Sequence, residues 1–527
     1  MLIMKKQTKS LYAFFKNRPR YDWIFASVAL LSYVVLALWN ITAGSIWFDE
    51  AFSSYIIQFN FIDIARYTAT DVHPPFYYWV LKIWAAIFGH TELGLRSMSI
   101  FFGLVTAVFG YLLVRRKFGR RAALIGLAIL AVSPLFIRYS QEARMYTLSA
   151  AIVFAATYVM TIAIETKRRK LWIWYGVLVS LGMWTHYFTA LAWLAHWAWR
   201  GLIVWRAGAR GKAFRKAFFE RNWFIAYAVA VGLFLPWLPA MVYQLAVIQS
   251  QGFWIGPVGV DTVGSYFGTL VLFLQSYQIT GWTSSALIFM ALVLVFAAIR
   301  TYRRADSAAR QSFGLLFALA AVPPVLLYIV SMPPLTSSFV ERYLLPAAVA
   351  SALFVGVIFA FGLRGQKIWR QIVVYGITAA LLIGGLSNMY FYGNYNKNSR
   401  TGIETGALVK SISGANEEGI PIIAGTPWVF YEAIFYNSTS NPIYFIDADV
   451  DYAFGSLDML KYSDQHKIKD LDAFTKHHPV VWYVTYVDGE LTAPREGWTK
   501  LEEKSITNHV DGKTVYKAAK FLTTSEE

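Results

Sequence analysis

Residues 22–50 read DWIFASVALLSYVVLALWNITAGSIWFDE, an apolar run that ends in two adjacent acids, and this stretch decides the fold class. The apolar part, residues 22–43, matches the roughly 20 residues that a helix needs to cross a hydrocarbon core of about 30 Å. Basic residues precede it at Lys5, Lys6, Lys9, Lys16, Arg18 and Arg20. This order is typical of a signal anchor that stays in the membrane.

Further apolar runs of similar length follow this first span along the chain. The eleven predicted spans cover residues 22–43, 94–114, 122–137, 144–165, 171–185, 187–205, 222–243, 284–299, 313–331, 343–363 and 371–391. Of the 527 residues, 57% are hydrophobic and only 15% are charged, whereas soluble domains average about a quarter charged. The sequence therefore predicts a polytopic α-helical membrane protein with about 11 transmembrane helices.

The basic residues define the orientation of these helices. Clusters of Lys and Arg fall in every second loop, at residues 115–121, 167–170, 206–221, 300–310 and 364–370. Because such loops stay in the cytoplasm, residues 1–21 are predicted to be cytoplasmic and residues 44–93 to form the first outer loop. The net charge of +17 thus reports topology in the cell membrane and not a nucleic-acid partner.

Three stretches depart from the pattern of simple spans. Residues 76–88 are predicted to form a helix lying in the outer interface, because another crossing would put the cluster at 115–121 on the wrong side. Residues 244–283 are predicted to form a long outer loop with partly inserted pieces. Residues 22–392 then make up the transmembrane domain, and residues 393–527 a small extracytoplasmic α/β domain.

The predicted elements of this C-terminal domain come from β-branched and apolar runs between turn residues. Strands are predicted at 420–425, 442–446 and 480–487, and helices at 428–436 and 470–477. The chain has no cysteine, which excludes disulfides, thiolate catalysis and Cys-ligated zinc.

The first outer loop carries two groups of side chains suited to chemistry. Asp49 and Glu50 follow the first span directly, where a carboxylate could take the proton of an acceptor hydroxyl at the membrane surface. Asp71 and His73 precede the Pro74-Pro75 pair, which stiffens the backbone. A solvated charge pair and a structural histidine are the alternative explanations.

A second group lies at the outer ends of later spans. Its polar members are Arg96, Glu142, Arg144, Tyr146, His186, Arg342 and Tyr343. Each arginine alone could be an interfacial anchor, but together they supply cations suited to a phosphate group. An ionisable residue that faces a helix bundle implies a partner or a substrate.

These motifs resemble the bacterial branch of the protein O-mannosyltransferase superfamily, which consists of GT-C glycosyltransferases and includes lipopolysaccharide-core and cell-envelope sugar transferases. The likeness covers about residues 20–350. It lies in Asp49-Glu50, Asp71-x-His73-Pro74-Pro75-x-Tyr77-Tyr78, Arg96, Ser140-Gln141-Glu142-Ala143-Arg144-x-Tyr146, Thr185-His186-Tyr187 and Glu341-Arg342-Tyr343. Related aminoarabinose transferases have a Lys where this chain has His73, which puts phosphate contact by that residue in doubt.

The resemblance implies a polyprenyl-phosphate monosaccharide donor, a catalytic acid in the first outer loop and inversion at the anomeric carbon. The leading acid of the family motif falls on Asp49, which the resemblance therefore implies is the catalytic base, with Glu50 beside it. The chemistry of the two carboxylates alone does not show which of them is the base. Asp71, His73, Arg96, Glu142, Arg144, Tyr146, His186, Arg342 and Tyr343 are predicted to bind the substrate or the donor phosphate. A divalent cation shared by Asp71 and His73 stays an open alternative.

The expected partners are the lipid-linked sugar donor, an envelope lipid, glycan or protein acceptor, and membrane lipids. Two other functional classes fit the same topology, a transporter or flippase of lipid-linked sugars and an inactive scaffold. Transporters usually place ionisable or broken positions at mid-membrane in corresponding halves. The notable polar residues of this chain crowd the outer ends of spans, which favours an enzyme.

Overall fold

The computed structural model describes residues 19–252, 254–275, 278–392, 405–413, 419–437, 441–452, 455–487, 489–507 and 514–523. The chain packs into two compact units. The helical unit comprises Met1–Trp39, Ser99–Pro239 and Ile248–Met389, and the α/β unit comprises Asn40–Met98, Ala240–Val247 and Tyr390–Glu527. The first outer loop therefore packs with the C-terminal region. The domain boundary at residues 392 and 393 stays a prediction.

The helical unit contains most of the long helices. Its α-helices are Pro19–Leu38, Arg120–Ala131, Pro134–Ser140, Tyr146–Thr166, Arg169–Thr185, Thr189–Arg206, Gly211–Phe218, Arg221–Phe234, Val260–Leu272, Gly281–Arg304, Ser307–Val330, Leu345–Gly362 and Ile368–Ser387. Short 3₁₀ turns at Leu235–Trp237 and Glu341–Leu344 connect neighbouring helices, and Ile368–Ser387 continues into the π-helical turn Asn388–Tyr392. Two helices, Glu92–Phe118 and Leu238–Gln251, have residues in both units.

Seven helices among the described residues are long and apolar enough to cross a membrane, and the pair Arg120–Ala131 and Pro134–Ser140, bent by 62°, makes an eighth span if it counts as one. The chain is thus a multi-pass helical membrane protein. The predicted number of eleven is not confirmed. The other three predicted positions are occupied by helices that do not reach both the length and the hydropathy expected of a membrane span, namely Pro19–Leu38, Arg169–Thr185 and Thr189–Arg206. The 17 residues of Arg169–Thr185, for example, rise about 26 Å, which is shorter than a typical core.

Local backbone chemistry explains the breaks around the bent pair. Gly119 adopts φ +81° between Glu92–Phe118 and Arg120–Ala131, a conformation that glycine reaches without strain. Pro134 then opens the next helix at its first position, behind an extended Ser133, where a missing N–H costs nothing. These breaks position the short helix Pro134–Ser140, which carries Arg138 and Tyr139.

The first outer loop folds into three helices, Phe48–Ile56, Phe61–Thr68 and Phe76–Phe88. The helix predicted at 76–88 is therefore present. The predicted loop at 244–283 is wrong in part, since one helix runs on to Gln251 and Val260–Leu272 forms another. The amide of Gln244, which suggested a loop, is buried and donates to the Thr68 carbonyl oxygen at 2.7 Å.

The C-terminal region forms a six-stranded sheet. Its strands are β1 Ile422–Ala424, β2 Ile443–Ile446, β3 Lys467–Ile468, β4 Val480–Tyr486, β5 Thr499–Thr507 and β6 Thr514–Leu522, and its helical segments are Thr405–Ser413, Pro427–Tyr436, Asp447–Asp449, Ser456–Met459, Leu460–Tyr462, Asp464–His466 and Leu471–His477. The strand order is β3-β2-β1-β4-β6-β5. The first four strands are parallel to one another, and β6 pairs antiparallel with both β4 and β5.

All predicted strands and helices of this region are present, shifted by one or two residues at their ends. One face of the sheet is covered by a core of Ile423, Ile446, Ile468, Val481, Leu491, Ala519 and Phe521. The small α/β fold is thereby confirmed, with β3, β5 and β6 as additional strands.

Candidate active site

The helix Phe48–Ile56, called the first-loop helix below, carries both predicted catalytic acids in its first turn. Glu50 is fully buried and accepts two hydrogen bonds from Arg96, at 2.8 Å from Nε to Oε1 and at 2.7 Å from Nη2 to Oε2. This is the two-pronged arginine–carboxylate geometry that combines charge with two parallel hydrogen bonds. Glu50 also accepts from the backbone N–H of Trp47, which caps the helix.

The remaining donors of Arg96 bind backbone carbonyl groups. Nη1 donates to the oxygens of Ile41 at 2.7 Å and Gly44 at 2.9 Å, and Nη2 donates to that of Ser45 at 3.0 Å. With the two bonds to Glu50, all five N–H groups of the guanidinium are used. Arg96 thus holds the segment before the first-loop helix, and these contacts favour a structural role for Arg96 and Glu50.

Asp49 differs from its neighbour in environment. Its side chain is half-buried, whereas Glu50 is enclosed and bound to a cation. The Asp49 backbone oxygen accepts from the Ser53 hydroxyl at 2.8 Å within the helix. The structure therefore shows that Asp49 and Glu50 differ in burial, a difference that the sequence did not reveal.

Asp71 and His73 lie close together, with 3.6 Å between Oδ2 and Nδ1, and both are largely buried. The backbone oxygen of Thr70 accepts from the N–H of Gly455, so the C-terminal region contacts this stretch. In the described ranges, no group of three or more His, Asp or Glu side chains is arranged to hold a metal ion. The divalent cation stays a prediction that rests on two ligands.

The other six predicted residues lie in the helical unit, and ring contacts bring four stretches of chain together there. His186 lies 4.9 Å from Tyr343 and 6.0 Å from Tyr146 between ring centroids. Tyr343 stacks on Phe188 at 4.8 Å, and the Arg342 guanidinium lies 5.2 Å from the ring of Trp254. Tyr146, His186 and Tyr343 are therefore neighbours within the helical unit, and Arg342 adjoins Tyr343; their role in substrate binding stays a prediction.

Glu142 and Arg144 lie in the turn between Pro134–Ser140 and Tyr146–Thr166. The Ser99 hydroxyl donates to the Glu142 carbonyl oxygen at 2.5 Å, and the Arg144 N–H donates to the same oxygen at 2.8 Å. The Gln141 amide donates to the carbonyls of Ala37 at 3.0 Å and Trp39 at 2.7 Å. Hydrogen bonds to neighbouring helices therefore fix the backbone of this turn.

Sequence reasoning missed Arg138, which it treated as a scattered cation. The Arg138 side chain is 3% exposed, and its Nη1 has no hydrogen-bond partner among the described residues, the Glu142 Oε2 lying 3.5 Å away. The charges of Arg138, Glu142, Glu341 and Arg342 all act on the buried phenol of Tyr139. The available signal was the opposite charge of Arg138 and Glu142 at a spacing of four residues, a spacing that brings side chains together where the chain is helical.

Comparison with known proteins gives a family for part of the chain. Residues 72–239 match the family model described as dolichyl-phosphate-mannose-protein mannosyltransferase. An uncharacterized protein of Aquifex aeolicus (strain VF5) is 27% identical over 165 residues, which are 29% of this chain and 32% of that protein. The alignment thus spans about a third of the relative.

Solved structures cover far more of the chain. ArnT from Cupriavidus metallidurans in the apo state matches with a TM-score of 0.60 at 13% identity, over 95% of this chain and 98% of that chain. The same enzyme bound to undecaprenyl phosphate matches at 0.58 and 13%, over 94% and 98%. The Archaeoglobus fulgidus oligosaccharyltransferase AglB, in complex with an inhibitory peptide and a dolichol-phosphate, matches at 0.50 and 13%, over 88% and 69%.

The family match and the shared fold agree with the resemblance that the motifs indicated. The chain has the fold of the GT-C glycosyltransferases, and its residues 72–239 match the dolichyl-phosphate-mannose-protein mannosyltransferase family.

Proposed function

We propose that this protein is an inverting glycosyltransferase that moves a monosaccharide from a polyprenyl-phosphate donor to a cell-envelope acceptor on the outer face of the cell membrane. The observation that carries the proposal is Arg138, a buried cation of the helical unit with an unmatched donor. A buried arginine is costly unless its donors are hydrogen-bonded, and the ion pair with Glu142 leaves Nη1 without a hydrogen bond among the described residues. A lipid-linked phosphate is an anion that reaches such a site from the bilayer.

The comparisons support the same ligand class. One related structure holds undecaprenyl phosphate and another holds dolichol-phosphate. Both ligands are polyprenyl phosphates, and this chain shares the fold of both proteins.

In the proposed reaction Asp49 is the general base. The acceptor hydroxyl attacks the anomeric carbon and the bond from that carbon to the phosphate oxygen breaks. The acceptor proton passes to the Asp49 carboxylate, and the polyprenyl phosphate leaves with the bonding electrons. A single displacement of this kind inverts the anomeric configuration. Glu50 is a poor candidate, because a base must be free to approach the proton that it takes and Glu50 is bound to Arg96.

The leaving phosphate gains negative charge in the transition state, which positioned cations stabilise. We assign this role to Arg138, Arg144 and Arg342. Arg96 no longer belongs to this set in the proposal, since its five N–H groups are already used within the α/β unit. Tyr146, His186 and Tyr343 are assigned to donor binding within the helical unit, and Asp71 and His73 stay predicted substrate-binding residues of the α/β unit.

The test is transfer by purified protein in nanodiscs, with a labelled polyprenyl-phosphate sugar and an envelope extract as acceptor. Asp49→Asn keeps the size of the side chain but removes the base, so we expect transfer to fall by roughly 100-fold or more. Asp63→Asn is the matched control, because Asp63 lies in the same outer loop and bonds only to Asn60 in the pairs described.

Three results would contradict the proposal. Near-wild-type transfer by a well-folded Asp49→Asn variant would remove the base assignment. Movement of the labelled lipid across vesicles without transfer would identify a flippase. Neither transfer nor movement, across a panel of donors that the protein nonetheless binds, would indicate a non-catalytic scaffold.

A further inference from the structure

The segment of residues 41–50, which leads into the first-loop helix, is held from two sides within the α/β unit. Arg96 binds three of its carbonyl groups, as described above. The C-terminal region binds two other groups. The backbone N–H of Ile46 donates to the hydroxyl of Tyr436 at 2.5 Å, and the N–H of Gly406 donates to the Ser45 hydroxyl at 3.3 Å. The segment that precedes Asp49 is therefore tied to residues almost 400 positions away in sequence.

Tyr436 also connects this segment to the Glu50–Arg96 pair. Its hydroxyl donates to the carboxylate of Glu92, which lies one helical turn before Arg96 on the helix Glu92–Phe118. Arg96 in turn interacts electrostatically with Glu92 and Tyr436 as well as Glu50. A continuous polar network thus runs from Tyr436 through Glu92 and Arg96 to Glu50, the neighbour of the proposed base.

Aromatic packing adds a second connection to the same helix. Tyr431 is fully buried, and its ring lies 6.0 Å from Phe48, 5.6 Å from Phe52 and 5.2 Å from Tyr55. The Tyr431 hydroxyl is itself fixed by donation to the Ser456 carbonyl at 2.5 Å. Tyr431 and Tyr436 both belong to the helix Pro427–Tyr436. This helix therefore packs along one side of the first-loop helix.

Gly406 shows how tightly the contact around Tyr436 is built. A Cβ atom at this position would lie 2.7 Å from the Tyr436 ring and 3.0 Å from the Ser45 hydroxyl. Both distances are shorter than carbon atoms normally tolerate. A glycine is required there because the backbone itself approaches the ring.

We propose that the C-terminal domain is a positioning element for the proposed reaction, in which Tyr436 holds the segment of residues 41–50 and so places the Asp49 carboxylate. The proposal rests on Asp49 acting as the base. Tyr436 is a positioning residue, since it contacts the segment and not the reacting atoms. Displacing a catalytic group by about 1 Å can lower a rate by roughly 100-fold, so a lost hydroxyl contact is expected to affect turnover.

The protonation state of Tyr436 suits this role. Burial, together with the hydrogen bond to Glu92, raises the pKa of Tyr436 above its ordinary value of 10. The phenol is therefore neutral at physiological pH and keeps a proton to donate to Glu92. The contact is expected to persist over the whole range in which the protein is stable.

Tyr436→Phe tests the proposal, because it removes the hydroxyl and leaves the ring. We expect kcat to fall by roughly 10-fold or more, with the KM for the lipid donor within about twofold of wild type. Tyr444→Phe is the matched control, as Tyr444 lies in the same domain and packs on Phe474. A Tyr436→Phe variant that folds and turns over like wild type would overturn the proposal.

A readout independent of activity separates this proposal from the proposed function. Hydrogen–deuterium exchange of the full-length protein in nanodiscs is expected to show faster exchange in residues 41–56 for Tyr436→Phe than for Tyr444→Phe. If wild type transfers no sugar but this difference is present, the function is wrong and the positioning role stands. Equal exchange in the two variants would overturn the positioning role, whatever the activity.

If Tyr436→Phe folds poorly, Glu92→Gln, which removes the charge from the other end of the same contact, replaces it in both measurements with the same expected result. If both single variants fold, their combination gives a further test. Because both changes weaken one link, the double variant is expected to be no slower than the more affected single variant. Additive losses in kcat would mean that Tyr436 and Glu92 act separately, which contradicts the proposed network.

Discussion

Two buried arginine–glutamate pairs, Arg96–Glu50 in the α/β unit and Arg138–Glu142 in the helical unit, differ in how completely they are satisfied. Arg96 uses all five N–H groups at 2.7–3.0 Å. The Arg138 Nη1 lies 3.5 Å from its carboxylate and has no hydrogen bond in the described part of the chain. The side chains of both arginines are 3% exposed, so burial alone does not separate them.

This difference indicates that the number of arginine N–H groups with a hydrogen-bond acceptor is a better guide to function than the burial or the charge of the side chain. A buried ion pair with complete hydrogen bonding supports a particular chain conformation. A buried cation with an unmet donor has capacity left for a ligand, and leaving that capacity unused costs free energy. Variants at Arg96, Arg138 and Glu432 test this distinction.

The largest effect is expected at the satisfied pair. Arg96→Gln leaves Glu50 buried without its cation and frees three carbonyl oxygens, which is expected to cost about 3–5 kcal/mol of folding stability. The yield of monodisperse protein and the unfolding temperature would measure this. Arg66→Gln, which changes an exposed arginine of the same unit, should change neither quantity. An Arg96→Gln protein as stable as wild type would show that the pair is not structural.

A smaller effect, on binding and not on folding, is expected at Arg138. Arg138→Gln should weaken binding of a short-chain polyprenyl phosphate by roughly 10- to 100-fold, the range for losing hydrogen bonds to a charged group. Binding of the matching prenyl alcohol should not change, and inorganic phosphate should compete weakly. Arg116→Gln is the control, since Arg116 pairs with the partly exposed Glu165. Loss of fold in Arg138→Gln would place Arg138 with Arg96 as structural.

A pH-dependent effect is expected at Glu432, a third buried carboxyl group. Thr405 donates to it at 2.6 Å, and burial raises the pKa of Glu432 to about 8, although hydrogen bonds from Thr405 and Tyr516 oppose the rise. Since the folded state holds the proton more tightly, stability is full below the unfolded pKa of 4.5 and falls as pH rises towards about 8. The slope is at most about 1.4 kcal/mol per pH unit.

Glu432→Gln should remove this slope, because the amide cannot ionise. The unfolding temperature of the variant is therefore expected to exceed that of wild type at pH 8 and to match it near pH 5. Glu496→Gln, at an exposed position of the same domain, serves as control. An unchanged pH profile in Glu432→Gln would show that folding does not change the protonation of this carboxyl group, which contradicts the prediction.

Much of the fold could be predicted because its signals are local. Eight of the predicted spans coincide with apolar helices or the bent pair, and the helix Phe76–Phe88 and strand β4 were found from composition. β5 was missed because its sequence, TKLEEKSIT, is rich in charged residues. Its stability as a strand comes from hydrogen bonds to β6, which composition does not report.

The candidate site was predicted in composition and not in arrangement. The motif around Glu142, Arg144 and Tyr146 was recognised in the sequence, whereas the ring contacts of His186 with Tyr146 and Tyr343 are visible only in the fold. Arg96 and Arg138, however, were indistinguishable as single cations in a sequence. Their different roles depend on acceptors that lie elsewhere along the chain.

From the sequence alone it followed that this protein crosses the membrane many times, that acids and arginines gather near the ends of its predicted spans, and that a small α/β domain follows. Hydropathy and side-chain chemistry are properties of short stretches, so a linear reading is enough for them. Only the tertiary structure decided that Glu50 is bound to Arg96, 46 residues away, and that Tyr436 holds Ile46, 390 residues away. Hydrogen bonds act over about 3 Å in space, and no local pattern reveals which distant residues will come that close.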